Sequence, residues 1–99
     1  MLNKYDIIEF FNEHLSSLKD EYHISKLGLF GSFARNEQND SSDIDIILEF
    51  QEGTENIYER KNALREYLSK QFQREVDLCR EKYLKPYVRD YLKNEIIYV

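Results

Sequence analysis

A short alternating segment, Asp43-Ile44-Asp45-Ile46, constrains the fold more than any other part of the sequence. Strict alternation of polar and apolar residues indicates a β-strand with one buried face. Successive side chains of a strand point to opposite faces, so residues two apart share a face. We therefore expect Asp43 and Asp45 to project together from a sheet, while Ile44 and Ile46 point into the core.

A second feature lies upstream, where the apolar run from Leu27 to Phe30 stops at Gly31-Ser32. Glycine permits a tight turn after a strand, and residues 32–35 can open a short helix. Backbone N–H groups at a helix start attract anions, and the Ser32 hydroxyl can donate to a phosphate oxygen. Paired carboxylates suit Mg²⁺, which also takes phosphate oxygens as ligands. The two features together predict a site for a nucleoside triphosphate.

These residues resemble a known signature. Gly-Ser-Phe-Ala-Arg at 31–35 and Ser-Asp-Ile-Asp at 42–45 are similar to the G-S-x-A-R-G and S-D-x-D motifs of the minimal nucleotidyltransferases. Those enzymes are the smallest members of the DNA polymerase beta-like nucleotidyltransferase superfamily, and the resemblance covers nearly the whole chain. Asn36 stands where the signature has a second glycine. If that position needs a positive φ, asparagine is the least costly alternative to glycine, so we interpret it as a tolerated variant.

The resemblance implies a metal site made of three carboxylates. Asp43 and Asp45 would hold Mg²⁺ on the triphosphate, and Asp77, in an apolar run after a long helix, would be the third ligand. Two Mg²⁺ ions about 3.5–4 Å apart can serve the attacking and leaving oxygens of an in-line displacement. All three aspartates are therefore predicted to be catalytic, with Asp77 as a candidate acceptor of the attacking hydroxyl's proton.

The resemblance also implies a phosphate-binding role for the glycine-serine turn. Gly31 and Ser32 would position the β- and γ-phosphates of ATP. Arg35 has two roles open to it. It can reach a phosphate, or it can pair with a carboxylate and hold the loop.

Periodicity along the rest of the chain predicts a small α/β (α+β) domain spanning residues 1–99. Asn3 is expected to cap the first helix together with Asp6. Predicted helices cover residues 4 to about 20–22, a short stretch after 31, 55–72 and 86 to about 94, and predicted strands cover 24–30, 43–50, 74–79 and a strand-like tail at 96–99. This order suggests a small mixed β-sheet with helices packed on one face, as in the polymerase beta-like fold.

Composition narrows the location and the partners. The single cysteine, Cys79, excludes an internal disulfide and fits a reducing cytoplasm. No stretch approaches the ~20 apolar residues that a membrane span requires. The net charge of −5 argues against nucleic-acid binding as the main activity, because contacts to phosphates dominate such affinity. We expect a cytoplasmic protein with no membrane segment and no direct hold on nucleic acid.

The reaction implied by the resemblance is attack of a hydroxyl on the α-phosphate of ATP, with pyrophosphate leaving. Minimal nucleotidyltransferases are commonly paired with a helical HEPN-domain protein, and such pairs resemble toxin–antitoxin systems. In them the nucleotidyltransferase is the antitoxin, which adenylylates a tyrosine of the HEPN ribonuclease toxin. The resemblance thus implies a hetero-oligomer with a HEPN toxin. We expect that partner to bring its own binding surface, since the chain shows no acceptor-binding domain.

Two alternatives stay open. The chain could neutralise its partner by contact alone, through a surface on the predicted last helix. Tyr83, Tyr87 and Tyr91 recur at helical spacing, and the last two lie within that helix. Such a stripe is usually core, but a chain this small cannot bury all 8 tyrosines, and tyrosine is favoured where one end is wet. Alternatively, the nucleotide could be transferred to a small molecule or an RNA end. Three carboxylates favour an enzyme, because a pure binder needs no such set.

Overall fold

The computed structural model describes residues 2–99 and confirms the predicted order of helices and strands. The elements are α1 (Lys4–Tyr22), β1 (Ile24–Phe30), α2 (Gly31–Ala34), β2 (Ile44–Phe50), α3 (Ile57–Phe72), β3 (Val76–Arg80), a 3₁₀ turn (Glu81–Tyr83), α4 (Pro86–Leu92) and β4 (Ile97–Tyr98). Most differences from the prediction lie at element starts. The second strand begins at Ile44 rather than Asp43, and the third begins at Val76 rather than Arg74.

The first helix begins at the predicted cap. The Asn3 side chain accepts hydrogen bonds from the Tyr5 and Asp6 amides, and the Asp6 carboxylate accepts one from the Asn3 amide. This reciprocal arrangement satisfies N–H groups that have no partner inside the helix. Within residues 2–99, none of the helices has both the length and the apolar character needed to cross a membrane.

The four strands form one mixed sheet in the order β3-β2-β1-β4. Strand β1 is antiparallel to both β2 and β4, whereas β2 and β3 run parallel. One face of the sheet packs against α1 and α3 and forms the core, which includes Phe11, Leu64, Leu68, Ile44, Ile46 and Leu48. The mixed sheet is confirmed, and helices α1 and α3 share one face. Among the described residues, none of α4 is buried.

On the face of the sheet opposite the core, the side chains of Ile96, Tyr98 and Ile47 close over Gly28. A Cβ atom on Gly28 would lie 2.9 Å from Cγ2 of Ile96, 3.0 Å from Cδ1 of Tyr98 and 3.1 Å from Cγ2 of Ile47. Glycine inside a strand often marks such a close approach. The absence of a side chain at residue 28 therefore leaves room for the side chains of Ile96, Tyr98 and Ile47.

We expect Gly28→Val to destabilise the fold by roughly 1–3 kcal/mol, the usual cost of overpacking. Ile96, Tyr98 and Ile47 would have to move to admit the new methyl groups. The free energy of unfolding from urea titration measures the effect. Ser25→Val, at an exposed position of the same strand, is the matched control and should stay within about 0.5 kcal/mol of the native protein. Equal losses in both variants would contradict the packing argument.

Candidate active site

Strand register brings Asp45 and Asp77 side by side. They are direct partners in the parallel pair of β2 and β3. Paired residues of neighbouring strands point to the same face, and the strands are only about 4.8 Å apart. Asp43 lies two residues before Asp45, just ahead of β2, and its charge acts on Asp45. The structure thus places Asp45 and Asp77 together on the face opposite the core, with Asp43 close enough to raise the pKa of the Asp45 carboxyl.

The three carboxylates differ in their surroundings. Asp45 is half-buried, whereas Asp43 and Asp77 are exposed. Burial raises the pKa of the Asp45 carboxyl above its ordinary value, and the charges of Asp77, Asp43 and Glu95 raise it further, while Arg35 acts in the opposite sense. Negative charge is therefore concentrated here beyond what the nearby cation offsets. A bound cation would relieve this repulsion and favour the charged form of Asp45.

The arrangement is open, not a closed metal cage. Among residues 2–99, no three His, Cys, Asp or Glu side chains are placed so that they could hold an ion by themselves. Mg²⁺ rarely needs such a cage, because it is usually bound by one or two carboxylates together with water and phosphate oxygens. The in-register carboxylates of Asp45 and Asp77 have the chemistry of such ligands.

The loop before Asp43 is tied to the residues before β3. The Nη1 atom of Arg74 donates to the backbone oxygens of Asn39 at 3.0 Å and Ser42 at 2.8 Å. The Arg74 guanidinium also lies over the ring of Phe33, 5.2 Å from its centroid. One side chain thus links the entry to β2, the entry to β3 and helix α2, which limits the freedom of Asp43.

The turn at Gly31 lies directly against Asp45. Phe30 pairs with Asp45 across β1 and β2, and Gly31 follows with a φ of 77°. A Cβ atom on Gly31 would collide with Oδ2 of Asp45 and lie 2.9 Å from its Cγ. Two independent constraints, a left-handed backbone and the adjoining carboxylate, therefore require glycine here. Ser32 follows at the start of α2 and is half-buried.

Asn36 also has a left-handed backbone, with a φ of 59°. The condition under which asparagine is the least costly alternative to glycine, a positive φ, is therefore met. Asparagine adopts this region several times more often than other residues with a Cβ, so the departure from the signature is accommodated locally.

Arg35 is held by carboxylates. Its Nε donates to Oε1 of Glu37 at 2.8 Å, and its Nη1 donates to Oε1 of Glu95 at 2.9 Å. The other oxygen of Glu95, Oε2, accepts a hydrogen bond from the Gly31 amide at 2.8 Å. Of the two roles open to Arg35, this structure shows the ion pair that holds the loop. The sequence reasoning missed Glu95, which carries no motif and lies far from the turn along the chain.

Comparison with known proteins identifies the family of this chain. The family model of the nucleotidyltransferase domain matches residues 11–99. A Methanocaldococcus jannaschii protein that bears the name of a protein adenylyltransferase is 40% identical over 95 residues, which cover 95% of each chain. Protein adenylyltransferase MntA of Thermococcus cleftensis is 29% identical over 99 residues, which cover 100% of this chain and 98% of that relative.

Solved structures agree with the sequence relatives. A minimal nucleotidyltransferase superposes with a TM-score of 0.76 at 27% identity, covering 93% of this chain and 92% of the other. A chain of a toxin–antitoxin complex with AMP-PNP superposes with a TM-score of 0.68, covering 88% of this chain and 69% of that chain, but at 23% identity it shows the fold alone. The predicted resemblance and the prediction of an enzyme are confirmed. This chain belongs to the nucleotidyltransferase family.

Proposed function

We propose that this nucleotidyltransferase transfers AMP from ATP to a hydroxyl group of a partner protein. The observation that carries the proposal is the register of Asp45 with Asp77, directly beside the Gly31 turn. This pairing puts two carboxylates within reach of a triphosphate bound at the turn. A protein acceptor is supported by relatives that bear the name of protein adenylyltransferases and match almost the whole chain.

The three aspartates would hold Mg²⁺, most simply as two ions that bind together with ATP. When bound, the metal would supply positive charge that offsets the charge of the phosphates and of the leaving pyrophosphate. The clustered negative charge around Asp45 supports this assignment, because a divalent cation would offset it. Asp43, Asp45 and Asp77 are thus proposed as both metal ligands and catalytic residues.

The protein groups around the triphosphate have separate tasks. Gly31 and Ser32 would bind the β- and γ-phosphates through the turn that adjoins Asp45. The acceptor hydroxyl would form a bond to the α-phosphorus while the bond to the bridging oxygen breaks and pyrophosphate leaves. Asp77 is exposed and can therefore accept the proton that the hydroxyl loses. Arg35 would hold the turn through its ion pair with Glu95.

The proposed biological role is that of an antitoxin. Structural neighbours of this chain come from toxin–antitoxin complexes, one of them with AMP-PNP, and one relative is named MntA. The resemblance of the sequence to minimal nucleotidyltransferases further suggests a HEPN ribonuclease toxin as the partner and a tyrosine as the acceptor. We place the pair in the cytoplasm as a hetero-oligomer and propose residues 1–99 as one catalytic domain.

We expect Asp45→Asn and Asp43→Ala to reduce AMP transfer to the cognate partner by roughly 100-fold or more, since even outer-shell partners of a metal cost 10–100-fold. Labelled ATP and mass spectrometry of the partner, expressed with and without this chain, would measure the transfer. Asp40→Asn, in the exposed loop, is the control and should transfer normally. Full activity in the Asp45 variant would exclude the proposed site. Label on RNA instead of protein would show that the acceptor is not a partner protein.

The same Asp45→Asn change should stabilise the protein in the absence of metal and nucleotide. A raised pKa means that the folded state holds the Asp45 proton more tightly than the unfolded state. Its contribution to stability is therefore present at acid pH and lost as the pH rises through the folded-state pKa. At neutral pH, asparagine removes the buried charge of Asp45 and its repulsion with the neighbouring carboxylates. We expect the melting temperature to rise by a few degrees at most, since about 1 kcal/mol corresponds to roughly 4–8 °C. A lower melting temperature at pH 7 would contradict this.

One observation favours a second candidate function, neutralisation by contact. Tyr83, Tyr87 and Tyr91 are 71%, 70% and 80% exposed, so the tyrosine stripe is not part of the core. Exposed basic side chains, Lys82, Lys85, Arg89 and Lys93, alternate with these tyrosines along the segment. Tyrosine and arginine are enriched at protein interfaces, so this surface suits a partner.

Replacement of Tyr87 and Tyr91 together by alanine should weaken the complex with the cognate partner by about 10-fold or more, as loss of interface aromatics commonly does. Titration calorimetry of each variant with the purified partner would measure the affinity between the two proteins. Tyr58→Ala is the matched control, because Tyr58 is 75% exposed on another helix. Neutralisation that survives Asp45→Asn but not the tyrosine replacement would establish contact, and not AMP transfer, as the mechanism.

A further inference from the structure

The carboxylate of Glu95 joins two parts of the chain that are far apart in sequence. Its Oε2 accepts the Gly31 amide hydrogen at 2.8 Å, and its Oε1 accepts from Nη1 of Arg35 at 2.9 Å. The Glu95 side chain is only 13% exposed. Charge-assisted hydrogen bonds of this length are about twice as strong as neutral ones, and the bond to the Gly31 amide is partly buried.

Strand register explains why Glu95 reaches the turn. In the antiparallel pair of β1 and β4, Ile97 lies opposite Leu29 and Tyr98 lies opposite Gly28. Continuing this register by two residues places residue 95 opposite Gly31. The backbone at residue 95 is also held from the other side, because the amides of Glu95 and Ile96 donate to the Leu92 oxygen at 2.8 and 3.0 Å. The position of this carboxylate is therefore set by the fold.

The turn that Glu95 holds is the one that touches Asp45. Gly31 has no room for a Cβ atom between its backbone and the Asp45 carboxylate. Any rotation of the Gly31 peptide would alter both the contact with Asp45 and the direction of Ser32. Glu95 fixes that peptide at its nitrogen, and the negative charge it brings is offset by its ion pair with Arg35.

We infer that Glu95 is a positioning residue of the nucleotide site, acting through the Gly31 amide and the Arg35 guanidinium. The inference rests on the proposed function, since it takes the Gly31-Ser32 turn as the place where the triphosphate binds. Glu95 does not touch the nucleotide. It holds the turn, together with Arg35, in the orientation that the β- and γ-phosphates require.

The test is the affinity of the full chain for AMP-PNP with Mg²⁺, measured by titration calorimetry. Glu95→Ala should weaken binding by about 10-fold or more, because an unconstrained turn must be ordered on binding. Glu95→Gln should recover part of the loss, since its amide oxygen can still accept from Gly31 but its NH₂ group cannot accept from Arg35. Rescue by glutamine is a result that general loss of stability would not produce.

Two further variants test whether Glu95 and Arg35 act as a unit. The double variant Arg35→Ala/Glu95→Ala should bind no more weakly than Glu95→Ala alone, because coupled residues are not additive. Glu37→Ala is the matched control, since Glu37 pairs with the same arginine but makes no contact with the Gly31 amide. The affinity of Glu37→Ala for AMP-PNP should stay within about 2-fold of that of the native chain. This change is small beside the tenfold loss expected for Glu95→Ala, which corresponds to about 1.4 kcal/mol.

The outcomes separate this inference from the proposed function. If the native chain does not bind AMP-PNP with Mg²⁺, the proposed nucleotide site itself is wrong. If the native chain binds AMP-PNP and both Glu95 variants bind it as tightly as the native chain does, the proposed site stands and the positioning role of Glu95 is wrong. Tighter binding by the Glu95 variants would also overturn it, because the carboxylate would then be competing with phosphate for the Gly31 amide.

Discussion

The parallel register of β2 and β3, which puts the carboxylates of Asp45 and Asp77 side by side, is the constraint on which the candidate site depends. The half-buried position of Asp45 makes its charge costly. The protein tolerates this cost because the opposite faces of the same strands contribute Ile44, Ile46, Leu48, Val76 and Leu78 to the core. The sheet therefore has its core on one face and the paired carboxylates on the other.

The face that carries the paired aspartates is bounded by backbone that has little freedom. Gly31 turns away from β1 directly against Asp45, and Gly28 leaves room for the side chains of Ile47, Ile96 and Tyr98. Arg74 binds the backbone of the loop before Asp43, and Glu95, two residues before β4, binds the Gly31 amide. Each of these contacts joins residues distant in sequence, so the arrangement forms only when all four strands are paired.

The outer surface of α4 follows a different principle. Its tyrosines and basic residues are exposed, although the whole chain has a net charge of −5. The turn after α4 carries Glu95, which accepts a hydrogen bond from the Gly31 amide, so the proposed partner surface is followed along the chain by a residue of the proposed site.

Local pattern alone determined much of this protein. Alternation in residues 43–46 predicted the strand that begins at Ile44, the Asn3 and Asp6 pair predicted the start of α1, and the asparagine at residue 36 suits the positive φ found there. These features depend on residues within a few positions of one another. The limits of α3 and β3 differ from the prediction by one or two residues, because capping and pairing with distant residues set them.

Tertiary structure decided the contacts between distant residues. The strand order put Asp77 beside Asp45, although the sequence only made Asp77 a candidate by resemblance. The β1–β4 register brought Glu95 to Gly31, which also showed Arg35 in an ion pair that the sequence had left open. Exposure of the tyrosine stripe likewise required knowing what packs on α4. Periodicity describes one element at a time, whereas register and burial depend on which elements become neighbours.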